Sequence, residues 1–175
     1  MSNRYYLSLG GNIEPERNLP ATVRLLGNYG KVLAVSQVYE SPPAGAREDQ
    51  PNYLNAAVLV ESELGPQEFH KTAIGEIERA LGRVRTDDKF AARTIDIDIL
   101  LVNQDILQIE HRNIPNPEIC TRSFVAVPLA EIAGDYVHPE TKEPLREIAR
   151  RLSRSPGSQL TPTALTINAS IIKSC

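Results

Sequence analysis

The sequence predicts an α+β fold in which helices pack on a mainly antiparallel sheet. Two observations lead to this class. Segments with strand and helix periodicity alternate along the chain in the order β-α-β-loop-β-α-β, and further short strands and helices follow. With 175 residues, of which 41% are apolar and 23% are charged, the chain has the length and composition of one soluble domain with a substantial core.

The first two elements are a strand and a helix. Residues 4–9 form a β-rich run that stops at Gly10-Gly11-Asn12. Tandem glycines after a strand permit close approach of the backbone to a ligand, although a plain turn is the simpler interpretation. Apolar residues then recur at helical spacing, which predicts a helix that begins near Pro15 and ends at Gly27 or Gly30.

A strand, a long loop, a second strand and a second helix come next. Residues 31–39 have strand character, and a Pro- and Gly-rich connection follows over residues 41–51. Connections of this length inside a compact domain are often functional lids. The next strand is predicted over residues 53–60, and a helix over residues 66–81, where apolar residues recur every four positions. Gly82 suits the C-terminal end of that helix.

The last third of the chain holds shorter elements. A turn at residues 103–105 leads to a short strand, and helices are predicted over residues 124–132 and 144–152. Residues 153–175 are rich in Ser, Thr and Pro and contain no acidic residue, which predicts a flexible tail. We therefore expect one domain, over residues 1–152, with the connectivity of a ferredoxin-like α/β sandwich.

Charge and cysteine content exclude several classes of protein. A net charge of −3 and a pI near 5.7 argue against general nucleic-acid binding. Cys120 and Cys175 are too few and too poorly spaced for a disulfide scaffold or a zinc site. The N-terminus lacks a secretory signal, and no apolar run is long enough to span a membrane. We expect a cytoplasmic monomer that binds small molecules but neither nucleic acid nor membranes.

An acidic strand is the most distinctive feature of the sequence. Ile95, Ile97 and Ile99 alternate with Asp96 and Asp98, a period of two that places the isoleucines on one face and the carboxylates on the other. Two like charges on one face of a strand repel each other, so a compensating interaction is expected. The carboxylates are roughly 6.5–7 Å apart along the strand and suit Mg²⁺. A half-buried strand with a solvated acidic face is the alternative.

Basic residues directly upstream of the acidic strand favour the metal interpretation. Within residues 83–93, four basic residues stand against two aspartates, in a chain that is acidic overall. The basic residues are Arg83, Arg85, Lys89 and Arg93. Guanidinium groups bind phosphate through paired hydrogen bonds, and Lys adds a compact charge. Cations beside a metal-binding acidic pair are what a nucleoside triphosphate requires, whereas an ordinary solvated charge run remains the alternative.

The strand over residues 53–60 offers a second group of candidate residues. Tyr53 and Asn55 are two positions apart and therefore share a face. Together they provide an aromatic surface and an amide, which suit a flat polar ring. A surface Tyr beside a turn Asn explains the same spacing.

Five short motifs occur together and in a particular order. They are Ser41-Pro-Pro-x-Gly, Tyr53-Leu-Asn55, Gly82-Arg-x-Arg85, Arg93-Thr-Ile-Asp-Ile-Asp98 and Arg122-Ser-Phe124. From about residue 4 to about residue 150, the sequence resembles the 6-hydroxymethyl-7,8-dihydropterin pyrophosphokinase family of folate biosynthesis, which has these motifs in the same order. The fourth motif is close to the signature of that family and is highly specific.

The resemblance implies a diphosphokinase that transfers the β,γ-diphosphate of ATP to the hydroxymethyl oxygen of the pterin and releases AMP. In that scheme Asp96 and Asp98 hold two Mg²⁺ ions, which orient the triphosphate and neutralise charge on the transferred group. With these two aspartates, Arg83, Lys89 and Arg93 form the implied catalytic set. The residues implied to lie at ATP are Glu78, Arg83, Arg85, Lys89, Arg93, Ile99, His111 and Arg122.

The same resemblance implies the residues that bind the pterin. Tyr53 and Phe124 match the two aromatic residues that sandwich the ring. Such stacking stabilises a flat heterocycle by roughly 0.5–1.5 kcal/mol beyond burial. A further set matches the edge of the site that recognises the hydrogen-bonding groups of the ring. These residues are Ser41, Pro42, Ala44 and Asn55. Residues 10–12, 41–51 and 83–93 correspond to the three mobile loops that close over the substrates in this family.

Several positions depart from the family pattern. Phe90-Ala91-Ala92-Arg93 stands where an aromatic residue, Gly-Pro and Arg are usual, and Asn116 stands where Pro-His-Pro is common. His111 occupies a position that is Arg in some members. One alternative is therefore a divergent relative that acts on another pterin or binds pterin without efficient turnover. Another is an RNA-binding ferredoxin-like module, which an acidic central strand and only nine aromatic residues suit poorly.

Overall fold

A computed structural model of the chain describes residues 1–43 and 49–169. Ala44, which was expected to border the pterin, therefore lies outside the described residues, as do residues 45–48 of the 41–51 connection. The first half contains β1 (Asn3–Gly11), α1 (Pro15–Leu26), β2 (Lys31–Val35), β3 (Tyr39–Ser41) and β4 (Tyr53–Ser62). Helix α2 follows over residues 66–80 as three consecutive segments, Pro66–Glu68, Phe69–Ile74 and Gly75–Ala80. The second half contains β5 (Asp96–Val102), β6 (Leu107–Ile109), β7 (Arg112–Ile114), a 3-10 helix (Pro117–Cys120), α3 (Ser123–Ala133), α4 (Leu145–Ser153) and β8 (Thr161–Pro162).

The principal sheet has the strand order β5-β1-β4-β3-β8, and β2 also lies beside β4. Every pair of neighbouring strands in it is antiparallel. α1 joins β1 to β2 and α2 joins β4 to β5, and in each case a third strand lies between the two that are joined. This is the connectivity of a ferredoxin-like α+β sandwich, so the predicted fold class is confirmed.

The single strand predicted over residues 31–39 is two strands, β2 and β3, because Ser36 interrupts it. The Ser36 hydroxyl accepts a hydrogen bond from the Ala57 main-chain N–H at 2.8 Å, and the Ser36 N–H donates to the Ala57 carbonyl at 2.9 Å. These bonds keep the chain beside β4 while its direction changes. Consequently β2 and β3 occupy successive stretches of the same edge of β4.

Helix α2 has the predicted extent, but its middle segment, Phe69–Ile74, is a π-helix. Phe69 is fully buried and stacks on Tyr5 of β1, with ring centroids 4.0 Å apart and an interplanar angle of 6°. Gly82 has a φ of 77°, which places it in the left-handed region that glycine adopts without strain. The prediction that Gly82 ends this helix is therefore confirmed, and the basic segment begins directly after it.

The sheet separates two apolar clusters. On one face α1 and α2 pack against odd-numbered residues of β1 and β5, including all three isoleucines of the acidic strand. On the other face α3 and α4 pack against Tyr6, Ala57, Leu59 and Leu100. Beyond Ala57 and Leu100, the second face continues into polar residues, and the candidate site lies there. No helix within residues 1–43 and 49–169 is both long enough and apolar enough to cross a membrane.

Part of the segment that composition predicts to be a flexible tail lies along the sheet. β8 pairs with β3, with Pro162 opposite Tyr39 and Thr161 opposite Glu40. Further along the chain, the side chain of Ile167 is buried in the first apolar cluster. The described part of the fold thus extends well beyond the end of α4.

Candidate active site

A row of residues that crosses four strands forms the floor of the candidate site. Gly10 of β1 lies directly opposite Asp96 of β5 on one side and Asn55 of β4 on the other, and Asn55 in turn faces Tyr39 of β3. Directly opposed residues project from the same face of a sheet. Since adjacent strands are about 4.8 Å apart, Asp96 and Asn55 are separated by about 10 Å. Gly10 lies between them, so no side chain fills this part of the floor.

The two glycines lie inside β1, which corrects the simpler interpretation of them as a turn. A Cβ atom at Gly10 would lie 3.4 Å from Asn55 Oδ1 and 3.9 Å from Tyr53 Cδ1, so both of these side chains border the space above Gly10. At Gly11 a Cβ atom would lie 2.6 Å from the carbonyl oxygen of Thr94, which is closer than side chains tolerate. Glycine keeps the space open at the first position and permits close packing at the second.

Hydrogen bonds fix the orientation of the Asn55 amide. Its Nδ2 donates to Ser41 Oγ at 2.8 Å and to the Tyr39 carbonyl at 3.5 Å. Asn55 and Ser41 are both buried. Because Nδ2 faces β3, the acceptor atom Oδ1 is directed toward Gly10. The site therefore presents a positioned acceptor to any N–H group of a ligand above Gly10. Pro42 is exposed next to this pair.

Asp96 is neutralised by two arginines of the basic segment. Arg93 Nη1 lies 3.1 Å from Asp96 Oδ2, and Arg83 Nη1 lies 3.7 Å from Asp96 Oδ1. Arg83 also donates to the Ile95 carbonyl at 2.8 Å. The side chains of Arg83 and Arg93 are only 10% and 18% exposed, so both are held within the protein. The Nε of Arg83 is buried without a hydrogen-bond partner among the described atoms, which leaves it available to an additional acceptor.

Asp98 lacks the compensation that Asp96 has. It forms no ion pair with any cation in the part of the chain that the structure describes. Burial, followed by the charges of Asp96, Glu118 and Glu78, raises the pKa of Asp98 to about 7. A carboxylate pair with one member uncompensated suits a divalent cation. The described ranges contain no group of three or more His, Cys, Asp or Glu side chains placed to hold a metal, so this pair would rely on water or substrate for the remaining ligands.

The stability of the metal-free chain should depend on pH through Asp98. Because its pKa is raised from 3.8 to about 7, the folded state retains a proton over this range that the unfolded state has lost, and stability falls as pH rises through it. We expect Asp98→Asn to unfold several degrees above the unaltered chain at pH 8, since each kcal/mol moves Tm by about 2–4 °C. At pH 4 the two should nearly coincide. Thermal unfolding in a chelating buffer measures this difference.

Asp87→Asn, at an exposed carboxylate of the basic segment, is the control for that measurement. It should leave the pH profile unchanged. An increase in Tm by Asp98→Asn that is equal at both pH values would show that the Asp98 carboxyl does not titrate abnormally.

Glu78 and Arg85 are bound to each other rather than exposed together. Glu78 is buried on α2, where its Oε1 accepts from Arg85 at 2.8 Å and its Oε2 accepts from the Ile97 N–H at 3.3 Å. Both carboxylate oxygens are thus engaged within the protein, and burial raises the pKa of Glu78. The side chain of Arg85 is 64% exposed. Ile99 points into the apolar cluster on the opposite face, so only its main chain could contact a nucleotide on this face.

Asn12 joins the three loops around the site, and sequence reasoning gave it no individual role. The Asn12 N–H donates to the Arg93 carbonyl at 3.0 Å, and Asn12 Oδ1 accepts from the Arg93 N–H at 2.9 Å. Its Nδ2 donates to Gln50 Oε1 at 3.1 Å and to the Pro51 carbonyl at 3.2 Å. Gln50 also donates to the Phe90 carbonyl at 2.8 Å. In the sequence, only the position of Asn12 directly after the Gly pair indicated that it lies near the site.

Lys89 is exposed in the middle of the basic segment. Its Nζ lies 5.1 Å from the centroid of the Phe90 ring, and it forms no ion pair with a described carboxylate. The main chain there is attached more firmly, since Arg93 Nη2 donates to the Lys89 carbonyl. The ammonium group is therefore free to move while its backbone stays near the site.

The remaining predicted residues lie at the margins. Arg122 and Phe124 are at the start of α3, where Arg122 is exposed and Phe124 packs partly against the second apolar cluster. His111 is exposed in the turn between β6 and β7. Neither Arg122 nor His111 pairs with a carboxylate of the described ranges. The structure thus brings the aspartates, Arg83 and Arg93 together and joins Ser41, Asn55 and Tyr53 around Gly10. No hydrogen bond or ion pair among the described residues connects His111 to either group.

Asn116 has a structural role at its position. Its Oδ1 accepts from the Glu118 N–H at 2.9 Å and caps the 3-10 helix, and its own N–H donates to the Leu100 carbonyl at 2.9 Å. The Asn116 side chain, which stands where the resemblance implies an imidazole, is therefore engaged with the main chain.

Comparison with known proteins gives consistent matches. Residues 6–134 match the family described as 7,8-dihydro-6-hydroxymethylpterin-pyrophosphokinase (HPPK). The 2-amino-4-hydroxy-6-hydroxymethyldihydropteridine pyrophosphokinase of Haemophilus influenzae is 37% identical over 140 residues, which cover 78% of this chain and 86% of the relative. The enzyme of the same name from Bacillus subtilis is 40% identical over 135 residues, covering 75% of this chain and 79% of the relative.

Among solved structures, the fold is similar to that of Plasmodium falciparum HPPK-DHPS. The wild-type structure with pteroate superposes with a TM-score of 0.68 at 15% identity. The match covers 86% of this chain and 42% of that chain, so this chain spans less than half the length of the solved protein. At such low identity the likeness shows a shared fold.

Proposed function

The chain belongs to the 7,8-dihydro-6-hydroxymethylpterin-pyrophosphokinase family, and from this premise we propose that it transfers the diphosphate of ATP to 6-hydroxymethyl-7,8-dihydropterin. The observation that carries the proposal is the row Asp96–Gly10–Asn55. A carboxylate suited to a divalent cation and an amide suited to a polar ring lie about 10 Å apart on one face of the sheet. With only Gly10 between them, a flat substrate can lie across the floor with its hydroxymethyl group toward the aspartates.

The reaction is a displacement at the β-phosphorus of ATP. The hydroxymethyl oxygen forms a bond to that phosphorus and loses its proton, while the bond from the β-phosphorus to the oxygen bridging it to the α-phosphorus breaks and its electron pair leaves with AMP. Negative charge accumulates on the transferred group and on the leaving phosphate. The protein therefore needs to supply positive charge and alignment rather than covalent chemistry.

Asp96 and Asp98 would hold Mg²⁺, which when bound supplies positive charge to the phosphate oxygens. The state of the two carboxylates supports this role. Arg83 and Arg93 already pair with Asp96, whereas Asp98, whose pKa is raised to about 7, has no ion-pair partner among the described residues and can accept a cation. We propose that Arg85 and Lys89, whose side chains are exposed, extend toward the triphosphate as it binds, and that Arg122 contributes from the start of α3.

The pterin would occupy the space above Gly10. Asn55 Oδ1 faces that space as an acceptor, Tyr53 borders it, and Ser41 holds the Asn55 amide in orientation. Phe124, at the first turn of α3, would cover the opposite side of the ring. This arrangement places one aromatic side chain on β4 and the other on α3, so that the ring is enclosed between the sheet and the helix layer.

Removing either aromatic ring should weaken pterin binding selectively. We expect Tyr53→Ala and Phe124→Ala each to reduce the affinity for the reduced pterin by roughly 1–3 kcal/mol, as for bases that stack on aromatic side chains. Titration calorimetry with the pterin, and separately with a non-hydrolysable ATP analogue and Mg²⁺, measures both affinities. Tyr29→Ala, near the N-terminal end of β2, is the matched control. Equal losses of affinity for both ligands would indicate general damage to the fold and would contradict a pterin site at these residues.

The proposed reaction is tested by its nucleotide product. The chain is incubated with ATP, Mg²⁺ and 6-hydroxymethyl-7,8-dihydropterin, and AMP and ADP are separated by chromatography. AMP should accumulate in proportion to pterin consumed, and its formation should stop when the pterin is omitted or the metal is chelated. Accumulation of ADP instead, or of AMP without pterin, would overturn the proposal. Tight pterin binding without either nucleotide would favour a relative that binds pterin without efficient turnover.

A further inference from the structure

The segment after α4 makes a structured contact that lies outside the family match. That match ends at residue 134, whereas β8, at Thr161–Pro162, pairs with β3 on the side away from β4. β3 is only three residues long, so few main-chain pairs connect it to β4. The C-terminal segment supplies the second neighbour.

Two hydrogen bonds attach the segment to the residue that precedes β3 by one position. The N–H and the hydroxyl of Thr163 both donate to the carbonyl of Val38 at 2.9 Å. The same hydroxyl accepts from the Leu165 N–H at 3.2 Å, so it is engaged on both sides. The main chain at the start of β3 is therefore fixed by a residue more than a hundred positions away.

An apolar anchor holds the segment beyond these bonds. The side chain of Ile167 is 8% exposed and belongs to the same buried cluster as Val38, which is fully buried. Leu165 packs against that cluster from its surface. The segment thus combines edge pairing, a two-bond clamp on Val38 and a buried terminal side chain.

The position of β3 determines the geometry of the space above Gly10. β3 carries Ser41, whose hydroxyl accepts from Asn55 Nδ2, and Tyr39, whose carbonyl accepts from the same atom. On its other side Tyr39 donates its hydroxyl to Glu131 of α3 at 2.7 Å, and Phe124 lies in the first turn of that helix. A displacement of β3 would turn the Asn55 amide and alter the spacing to α3, whereas Asp96 lies on β5, which β4 and β1 separate from β3.

We propose that residues 161–167 are a positioning element of the pterin site, acting through β3 on the Asn55 amide. This inference rests on the proposed function, since it assigns the element to one of its two substrates. Thr163 and Ile167 are the positioning residues, and neither touches the ligand. Loss of the element should weaken pterin binding while leaving the ATP side of the site intact.

The experiment compares three single variants with the unaltered chain. Thr163→Ala removes the hydroxyl bond to Val38 and the acceptor of the Leu165 N–H, while the main-chain bond to Val38 stays. Ile167→Asp removes the anchor, and Thr161→Ala, which changes only an exposed side chain and keeps the main-chain pairing with β3, is the matched control. For each, the Kd of the pterin, the Kd of a non-hydrolysable ATP analogue with Mg²⁺, and kcat at saturating pterin are measured. We expect the first two to raise the pterin Kd about tenfold, an effect typical of small misplacements in a site, with ATP-analogue affinity and kcat nearly unchanged.

Ile167→Val keeps an apolar anchor and should restore pterin affinity. If Ile167→Asp fails to fold, Thr163→Ala and Ile167→Val carry the test, with thermal unfolding as the check on integrity. Unchanged pterin affinity in a folded Thr163→Ala variant would overturn the inference, as would equal losses for both ligands. Measurements on the unaltered chain distinguish failure of the positioning role from failure of the proposed function. If it forms AMP from ATP and pterin while the variants bind normally, only the positioning role fails, whereas absence of pterin binding and turnover in the unaltered chain overturns both.

Discussion

Asp98→Asn and Asp96→Asn are each expected to lower turnover by about a hundredfold or more, the scale of losing a major electrostatic contact in a catalytic site. Each change preserves the shape of the side chain but removes a charge that the proposed Mg²⁺ site requires. Asp98 should be the more sensitive position, because it has no arginine in ion-pair contact among the described residues while Asp96 has two. Folding should survive, since relief of like-charge repulsion does not harm a strand.

The measurement is the steady-state rate of AMP formation over a range of Mg²⁺ concentrations, with thermal unfolding as a parallel check. Asp135→Asn, whose side chain is 98% exposed, is the control and should retain full activity. An Asp98→Asn variant that folds and turns over at the normal rate would contradict a metal-binding role for Asp98.

Lys89→Ala should lower the rate of the chemical step far more than it weakens ATP binding, by about a hundredfold or more against a few-fold loss of affinity. The Lys89 side chain is exposed and its ammonium group lies 5.1 Å from the centroid of the Phe90 ring, so the proposed closure of the basic segment would bring it to the triphosphate. Closure that follows binding commonly completes a catalytic site. A contact made mainly in the transition state affects the rate and spares the ground-state affinity.

Two measurements on the same variant separate these effects. One is the equilibrium affinity for a non-hydrolysable ATP analogue, and the other is the single-turnover rate at saturating substrates. Lys31→Ala, at an exposed lysine of β2, controls for the loss of a charge. Loss of affinity with an unchanged single-turnover rate would make Lys89 an ordinary ground-state phosphate contact.

Local periodicity was sufficient to predict the acidic strand. The alternation of three isoleucines with Asp96 and Asp98 determines which face each side chain occupies, and burial of Ile95, Ile97 and Ile99 confirms that assignment. The helices were predictable for the same reason, and so was the end of α2 at Gly82. These features depend on residues that are neighbours in sequence.

Features that depend on pairing between distant residues could not be predicted in this way. That Gly10 lies between Asp96 and Asn55 is a matter of strand register, which the glycines themselves do not reveal. The role of Asn12 arises from contacts with Gln50 and Arg93, both far away in sequence.

Composition likewise does not reveal the long-range contacts of the C-terminal segment. Residues rich in Ser, Thr and Pro predict mobility when each is considered alone. In the structure Thr163 donates a hydrogen bond to the Val38 carbonyl, and the Ile167 side chain is buried in the core. One buried side chain and one edge pairing are enough to order a polar segment, and neither leaves a periodic signal.

The central claim, that both terminal phosphates of ATP move together to the pterin, is tested most directly with ATP labelled at its β-phosphorus. The unaltered chain is incubated with this ATP, Mg²⁺ and 6-hydroxymethyl-7,8-dihydropterin, and the label is followed among the separated products. The account predicts that the label leaves the nucleotide, appears in the pterin product and is absent from AMP. Label that remains in ADP while the pterin gains one phosphate would contradict it.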